Sequence, residues 1–242
     1  LYERLIKGLL NKGKQVRGRL DGSIPRTGEL SPNLVGKALG LNVKEGFPIP
    51  ELLAPRPPKL CDGCPHIDSY TALNEAMKSY GEYKVFADIG CYTLGALPPL
   101  KAIYTTVDMG ASITMAKGAA EADLRPTVAV IGDSTFTHSG MTGLLDCVVD
   151  NVPVTVMILD NGITGMTGSQ KSSATGRIES ICQGIGVDPE HIRVINPLPS
   201  KLEENIKVIQ EELEYQGVSV IIPRRECIVW ANKKRKMAKK AK

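Results

Sequence analysis

Thr127-Val128-Ala129-Val130-Ile131-Gly132-Asp133-Ser134 and, after an interval of 25 residues, Asp160-Asn161-Gly162-Ile163 are the stretches that decide the fold. The first is an unbroken apolar run ending in glycine and a carboxylate. The second closes a similar run over 154–159. Continuous Val/Ile runs, without polar alternation, predict strands buried on both faces, as in parallel sheets. Working outward, comparable runs lie at 84–87, 103–107, 192–195 and 218–222. Helical patterns separate them at 68–80, 111–122, 139–150, 176–184 and 200–214. Strand–helix–strand order predicts an α/β doubly wound, mainly parallel sheet with right-handed crossovers and helices on both faces. Such sheets bind ligands beyond the carboxyl ends of their strands, near a switch in strand order. The loops of interest are therefore 88–95, 108–112, 132–140 and 160–170, which hold most of the Gly, Asp, Asn and Ser that could serve a ligand.

Outside residues 59–232 the pattern changes. Residues 1–58 read as an irregular extension, with an amphipathic helix over 2–12, a second helix over 33–39, and five prolines between Gly46 and Pro58. Residues 233–242 carry seven Lys or Arg and no acid, and without them the formal charge of +4 becomes about −3. The positive charge is thus a solvated tail, not a nucleic-acid face, which would interleave aromatics with bases on the fold itself. No apolar stretch approaches the roughly 18 residues of a membrane span, and no charged-then-apolar leader opens the chain. A cytoplasmic protein with reduced thiols is expected. The chain starts with Leu1, which suggests a processed protein or a piece of a longer one. Cys147 and Cys182 fall in predicted helices and read as core residues, whereas Cys61-x-x-Cys64 has the spacing of a metal or cluster clip.

Two parallel strands that each end in an oxygen donor can bring those donors together, because neighbouring strands lie about 5 Å apart. The Asp133 carboxylate, the Asn161 amide oxygen and the Ile163 carbonyl are three hard ligands suited to Mg²⁺, with water and phosphate oxygens completing the octahedron. Gly132 would let a phosphate approach the backbone, and the following helix start would add amide donors. A Gly-Asp after a strand also commonly caps a turn. The glycine-rich stretch Thr164–Gly168 strengthens the ligand reading.

Gly132-Asp133-Ser134 with Asp160-Asn161 resembles the Gly-Asp-Gly … Asn-Asn signature of thiamine diphosphate enzymes, departing from it at Ser134 and Asp160. Neither departure touches a ligand position, so the resemblance implies Mg²⁺ at Asp133, Asn161 and Ile163. Further stretches narrow the likeness: Leu60–His66, Asp88–Gly95, Met109–Ser112, Gly132–Gly140 and Met166–Gln170. Together, over roughly residues 50–230, they resemble the 2-oxoacid:ferredoxin oxidoreductases, and among them the large subunits acting on indolepyruvate. The resemblance implies oxidative decarboxylation of an aryl 2-oxoacid to an acyl-CoA, with electrons passed to ferredoxin. It also implies that Gly90, Cys91, Met109, Gly110 and Met166 line the cofactor together with Gly132 and Ser134. His66 would face diphosphate or substrate as a catalytic residue, or else cap a helix starting near Asp68. Cys61, Cys64, Cys91 and Cys227 match four thiolates around a 4Fe–4S cluster, for which structural Zn²⁺ or unligated thiols remain alternatives.

Members of this superfamily need a glutamate from a separate pyrimidine-binding domain, and residues 1–50 are too few to form one. The chain is therefore expected to need that domain or a second subunit, within an oligomer. A non-oxidative thiamine decarboxylase, or a non-catalytic Mg-nucleotide or Zn-binding module, are the other readings.

Overall fold

The computed structural model describes residues 16–240, apart from 45, 49, 55–56 and 82–84. The chain divides into two units, residues 1–56 and 57–242. In the smaller unit, α1 (Pro32–Ala38) matches the helix expected over 33–39, and the Ser31 hydroxyl caps it by accepting from the Leu34 amide. The helix expected over 2–12 lies outside the described residues. The described part of the proline-rich stretch forms no helix or strand.

The larger unit runs α2 (Pro65–Met77), β1 (Val85–Ala87), β2 (Thr105–Thr106), α3 (Ala111–Glu121), β3 (Val128–Gly132), α4 (Met141–Val149), β4 (Thr155–Leu159), β5 (Ile163–Thr164), β6 (Gln170–Lys171), α5 (Ile178–Ile185), β7 (Ile192–Ile195), α6 (Leu202–Glu214), β8 (Ser219–Pro223) and α7 (Ile228–Lys240). Six strands form one parallel sheet in the order β2-β1-β3-β4-β8-β7. Every apolar run read as a strand is in it.

Two-residue periodicity sorts the strand side chains onto two faces. Val128, Val130, Met157, Leu159 and Ile221 meet Tyr70, Leu73, Ile209 and Leu213, from α2 and α6. Ala129, Ile131, Val156, Ile158 and Val220 meet Ile113, Leu144, Cys147, Ile178 and Cys182, from α3, α4 and α5. The sheet is thus covered on both faces, as a doubly wound fold requires. Cys147 and Cys182 are core residues. From β1 the chain turns one way to β2 and returns to lay β3 on the other side. That reversal opens a crevice beyond the carboxyl ends of β1 and β3.

Four local features differ from expectation. Helix α2 begins at Pro65, not Asp68, because proline at the first helical position has no amide to waste. The helix expected from 139 starts at Asp133 and passes through a π-helical turn, Phe136–Gly140, before α4. The glycine-rich loop after β4 contains an antiparallel hairpin, β5–β6. The basic tail is exposed as expected but is not irregular: residues 233–240 continue α7, since Lys, Arg, Ala and Met are good helix formers with no breaker among them. Among the described residues, no helix is long and apolar enough to cross a membrane.

Candidate functional site

The tips of β3 and β4 meet. Gly132 is in register with Leu159, so Asp133 and Asp160-Asn161 leave the sheet side by side. Asp133 is buried and starts the helical run directly. Its Oδ1 accepts from the Ser134 amide at 2.8 Å and its Oδ2 from the Gly162 amide at 3.0 Å. The Asn161 Oδ1 accepts from the Ile163 amide at 3.0 Å, folding the second tip back towards the first. Ser134 and Thr164 hydroxyls pair at 2.8 Å across the same gap. Burial, with a further push from Asp160, raises the Asp133 pKa to about 6. A buried carboxylate that resists ionisation is one that a bound cation would satisfy.

A cavity of about 290 Å³ lies over these tips. Its lining includes His66, Gly90, Cys91, Met109, Gly132, Asp133, Ser134, Asn161, Ile163 and Met166. Of the residues expected at the cofactor, Gly110 alone is not in this lining. It has φ +93 and donates its amide to Asp88 Oδ2 at 2.9 Å. A side chain there would meet the Ser139 backbone oxygen at 2.6 Å, so Gly110 seats α3 rather than touching the cavity. At Gly132, which lines the cavity, an added Cβ would meet the Tyr92 ring at 2.6 Å, so the glycine also makes room for that ring.

His66 is buried in the first turn of α2, inside the helix rather than capping it. Its Nε2 lies 3.2 Å from Asn161 Nδ2, so the neutral ring accepts and carries its own proton on Nδ1. Burial, then the positive charge of Arg225, lowers its pKa to about 4. At neutral pH it is a poor proton acceptor and a steady hydrogen-bond partner.

Cys61, Cys64, Cys91 and Cys227 line a second cavity, of about 260 Å³, which shares His66, Cys91, Asn161, Gly165 and Met166 with the first. Leu60, Leu94, Ile228 and Val229 give it apolar walls. All six cysteines are free. Burial raises the Cys64 thiol to about 11, eased by the His66 amide and raised further by Cys61, Cys227 and Cys91. Cys91 is raised too, by burial first. Among the described residues, no three His, Cys, Asp or Glu side chains are arranged to hold a single metal ion.

Two important residues were not singled out in the sequence. Asp88, at the tip of β1, is fully buried and accepts from the Ser112 hydroxyl at 2.7 Å, from Gly110 and from the Tyr92 hydroxyl. It supplies the cap that Gly110 cannot give α3. Its strand-end position was the available signal. Tyr92 is held by Tyr70, whose hydroxyl donates to its carbonyl at 2.8 Å, and lines the cavity. Asp160 pairs with Arg224, at 2.6 Å, and Arg224 also pairs with Glu179 at 2.7 Å.

Residues 88–222 match the family described as thiamine pyrophosphate enzyme, C-terminal TPP binding domain. Curated relatives named indolepyruvate oxidoreductase subunit IorA are similar over most of the chain. That of Archaeoglobus fulgidus is 35% identical, covering 93% of this chain and 39% of its own length. That of Pyrococcus abyssi is 34% identical, covering 91% and 39%, and that of Methanothermobacter marburgensis 35%, covering 88% and 37%. The chain thus spans about two-fifths of these relatives. Among solved structures, a 2-oxoglutarate:ferredoxin oxidoreductase from Magnetococcus marinus superposes with a TM-score of 0.58 at 18% identity, covering 72% of this chain and 66% of that one. At that identity the likeness speaks for the fold alone.

Proposed function

Since the chain belongs to the family of thiamine pyrophosphate enzyme C-terminal TPP-binding domains, we propose that Asp133, Asn161 and the Ile163 carbonyl hold Mg²⁺ against the cofactor's diphosphate. The observation that carries this reading is the Asp133–Gly162 hydrogen bond of 3.0 Å, which brings both strand tips to one cavity. The chemistry fits: a buried carboxylate, amide oxygens and a helix start together suit a hard cation bridging to phosphate. Gly90, Cys91, Met109 and Met166 wall the cavity in which the cofactor's reactive end would sit. When bound, thiamine diphosphate supplies the carbon nucleophile for decarboxylating a 2-oxoacid.

The protein's own residues orient and enclose. Asp133 neutralises the cation and Ser134 stiffens the tip through Thr164. Neutral His66 faces the cavity beside Asn161, available to substrate as a hydrogen-bonding group. Cys61, Cys64, Cys91 and Cys227 are the ligand set for a 4Fe–4S cluster, a reading supported by four thiols around one cavity that adjoins the first. Structural zinc on the same four thiols is the alternative. A one-electron acceptor there would take electrons onward to ferredoxin. The names of the relatives support an aryl 2-oxoacid, indolepyruvate-like, as substrate, and an acyl-CoA would be the product. The active site is completed by a pyrimidine-binding domain or second subunit, in a cytoplasmic oligomer.

Calorimetric titration of the chain tests the cofactor assignment. Thiamine diphosphate with Mg²⁺ should bind, and chelating the Mg²⁺ should abolish binding. Equal or tighter binding of ATP with Mg²⁺ would overturn the assignment.

A further inference from the structure

Asn161 is gripped from both ends of the cysteine set. Its carbonyl accepts from the Cys227 amide at 3.2 Å. Its side-chain nitrogen meets His66, two residues after Cys64, at 3.2 Å. Arg225 braces the same junction: its amide donates to Asp160 at 3.1 Å, and its guanidinium reaches Gly63 at 3.3 Å and Asp68 at 2.7 Å. The second strand tip of the cation site is thus fastened to the walls of the four-cysteine cavity.

The Asn161 amide has two possible orientations, and its partners permit one. With nitrogen towards the imidazole acceptor and oxygen towards the Ile163 amide, both contacts are hydrogen bonds. Turned over, the NH₂ group would oppose the Ile163 N–H, donor to donor. The observed orientation leaves a second lone pair on Oδ1 for a cation. Losing the imidazole removes one of the two contacts that fix it.

We propose that His66 is a positioning residue that holds the Asn161 amide so that its oxygen serves the strand-tip cation, tying that site to the cysteine-bearing start of α2. The inference rests on the Mg–diphosphate reading of the site. Partners that orient a metal's ligands commonly change affinity 10–100-fold when removed.

The experiment compares His66→Gln and His66→Met, side chains of nearly one shape of which only the first has an oxygen to accept from Asn161. Mg²⁺ is titrated against the full chain at saturating thiamine diphosphate by calorimetry, and ligand-free thermal midpoints are recorded beside it. His66→Met should need about tenfold more Mg²⁺ than wild type, and His66→Gln should return to within about threefold. Equal Mg²⁺ requirements for the two variants, or a wild-type requirement in His66→Met, would overturn the inference alone. Failure of the wild-type chain to bind would overturn the underlying reading and this inference with it.

Discussion

The Asp133 carboxylate accepts a 3.0 Å hydrogen bond from the Gly162 amide, joining the ends of two neighbouring parallel strands through one side chain. The tie buries a carboxylate whose pKa rises to about 6, a charge that a bound cation would compensate.

Asp133→Asn should separate the two effects. The amide keeps the shape and an acceptor for Gly162 but removes the buried charge and the acceptor for Ser134. Relief of the charge contributes up to about 3 kcal/mol at pH 7.5 for a shift of roughly two pKa units, and the unpaired Ser134 amide offsets about 1–2 of that, so the ligand-free variant should be at least as stable as wild type. Mg²⁺-dependent binding of thiamine diphosphate should be lost. Denaturant melts and calorimetry check both, and a variant that binds like wild type would remove Asp133 from the ligand set.

Two buried groups oppose each other in acid. Between about pH 3.8 and 6, native Asp133 keeps a proton that the unfolded chain has released, so its contribution falls as pH rises. His66, with a native pKa of about 4 against 6.5 when unfolded, does the reverse: stability is lost as pH falls below 6.5. These two contributions largely cancel in wild type. Asp133→Asn should expose the histidine slope, gaining stability steadily from pH 4 to 6.5. Urea melts at pH 4.5, 5.5 and 6.5 read it directly. Mg²⁺ affinity of wild type should fall about tenfold per pH unit below 6, as protons compete for the carboxylate.

Gly110→Ala tests the seat of α3. A methyl group there must occupy a left-handed φ of +93 and meet the Ser139 backbone oxygen at 2.6 Å. Backbone cannot yield as a flexible side chain can, so a loss of about 2–3 kcal/mol is expected. Thermal unfolding measures it. A loss below 0.5 kcal/mol would show that the helix start relaxes freely.

Arg224→Met leaves buried Asp160 and its neighbour Glu179 without their shared cation. Breaking a fully buried pair costs 3–5 kcal/mol, and a guanidinium that is 37% exposed brings this to about 2. Adding Asp160→Asn should recover part of the loss, and a double-mutant cycle in chemical denaturation quantifies it.

The six sheet strands and the helices between them were legible because burial on both faces leaves an uninterrupted apolar mark. Asp133 and Asn161 were legible for a related reason: polar residues directly after such a mark stand at strand ends. What escaped was set by tertiary partners. Nothing local tells that Gly132 serves the Tyr92 ring or that Gly110 rests on Ser139. The β5–β6 hairpin hides in a glycine-rich stretch because two-residue strands are too short for any period to register. Pro65 carried the true start of α2 in plain view, and with it the inclusion of His66 in the helix.

The π-helical turn at Phe136–Gly140 holds about one residue more than an α-helical turn, because its hydrogen bonds run from i to i+5 instead of i+4. It lies between Asp133–Thr135 and the face of α4 that carries Leu144 and Cys147 into the core. Trimming a single residue from 136–140 would restore α-helical winding with the carboxylate and the core face near their present relation. The same deletion within 141–149, where no spare residue exists, would turn them apart by about 100°.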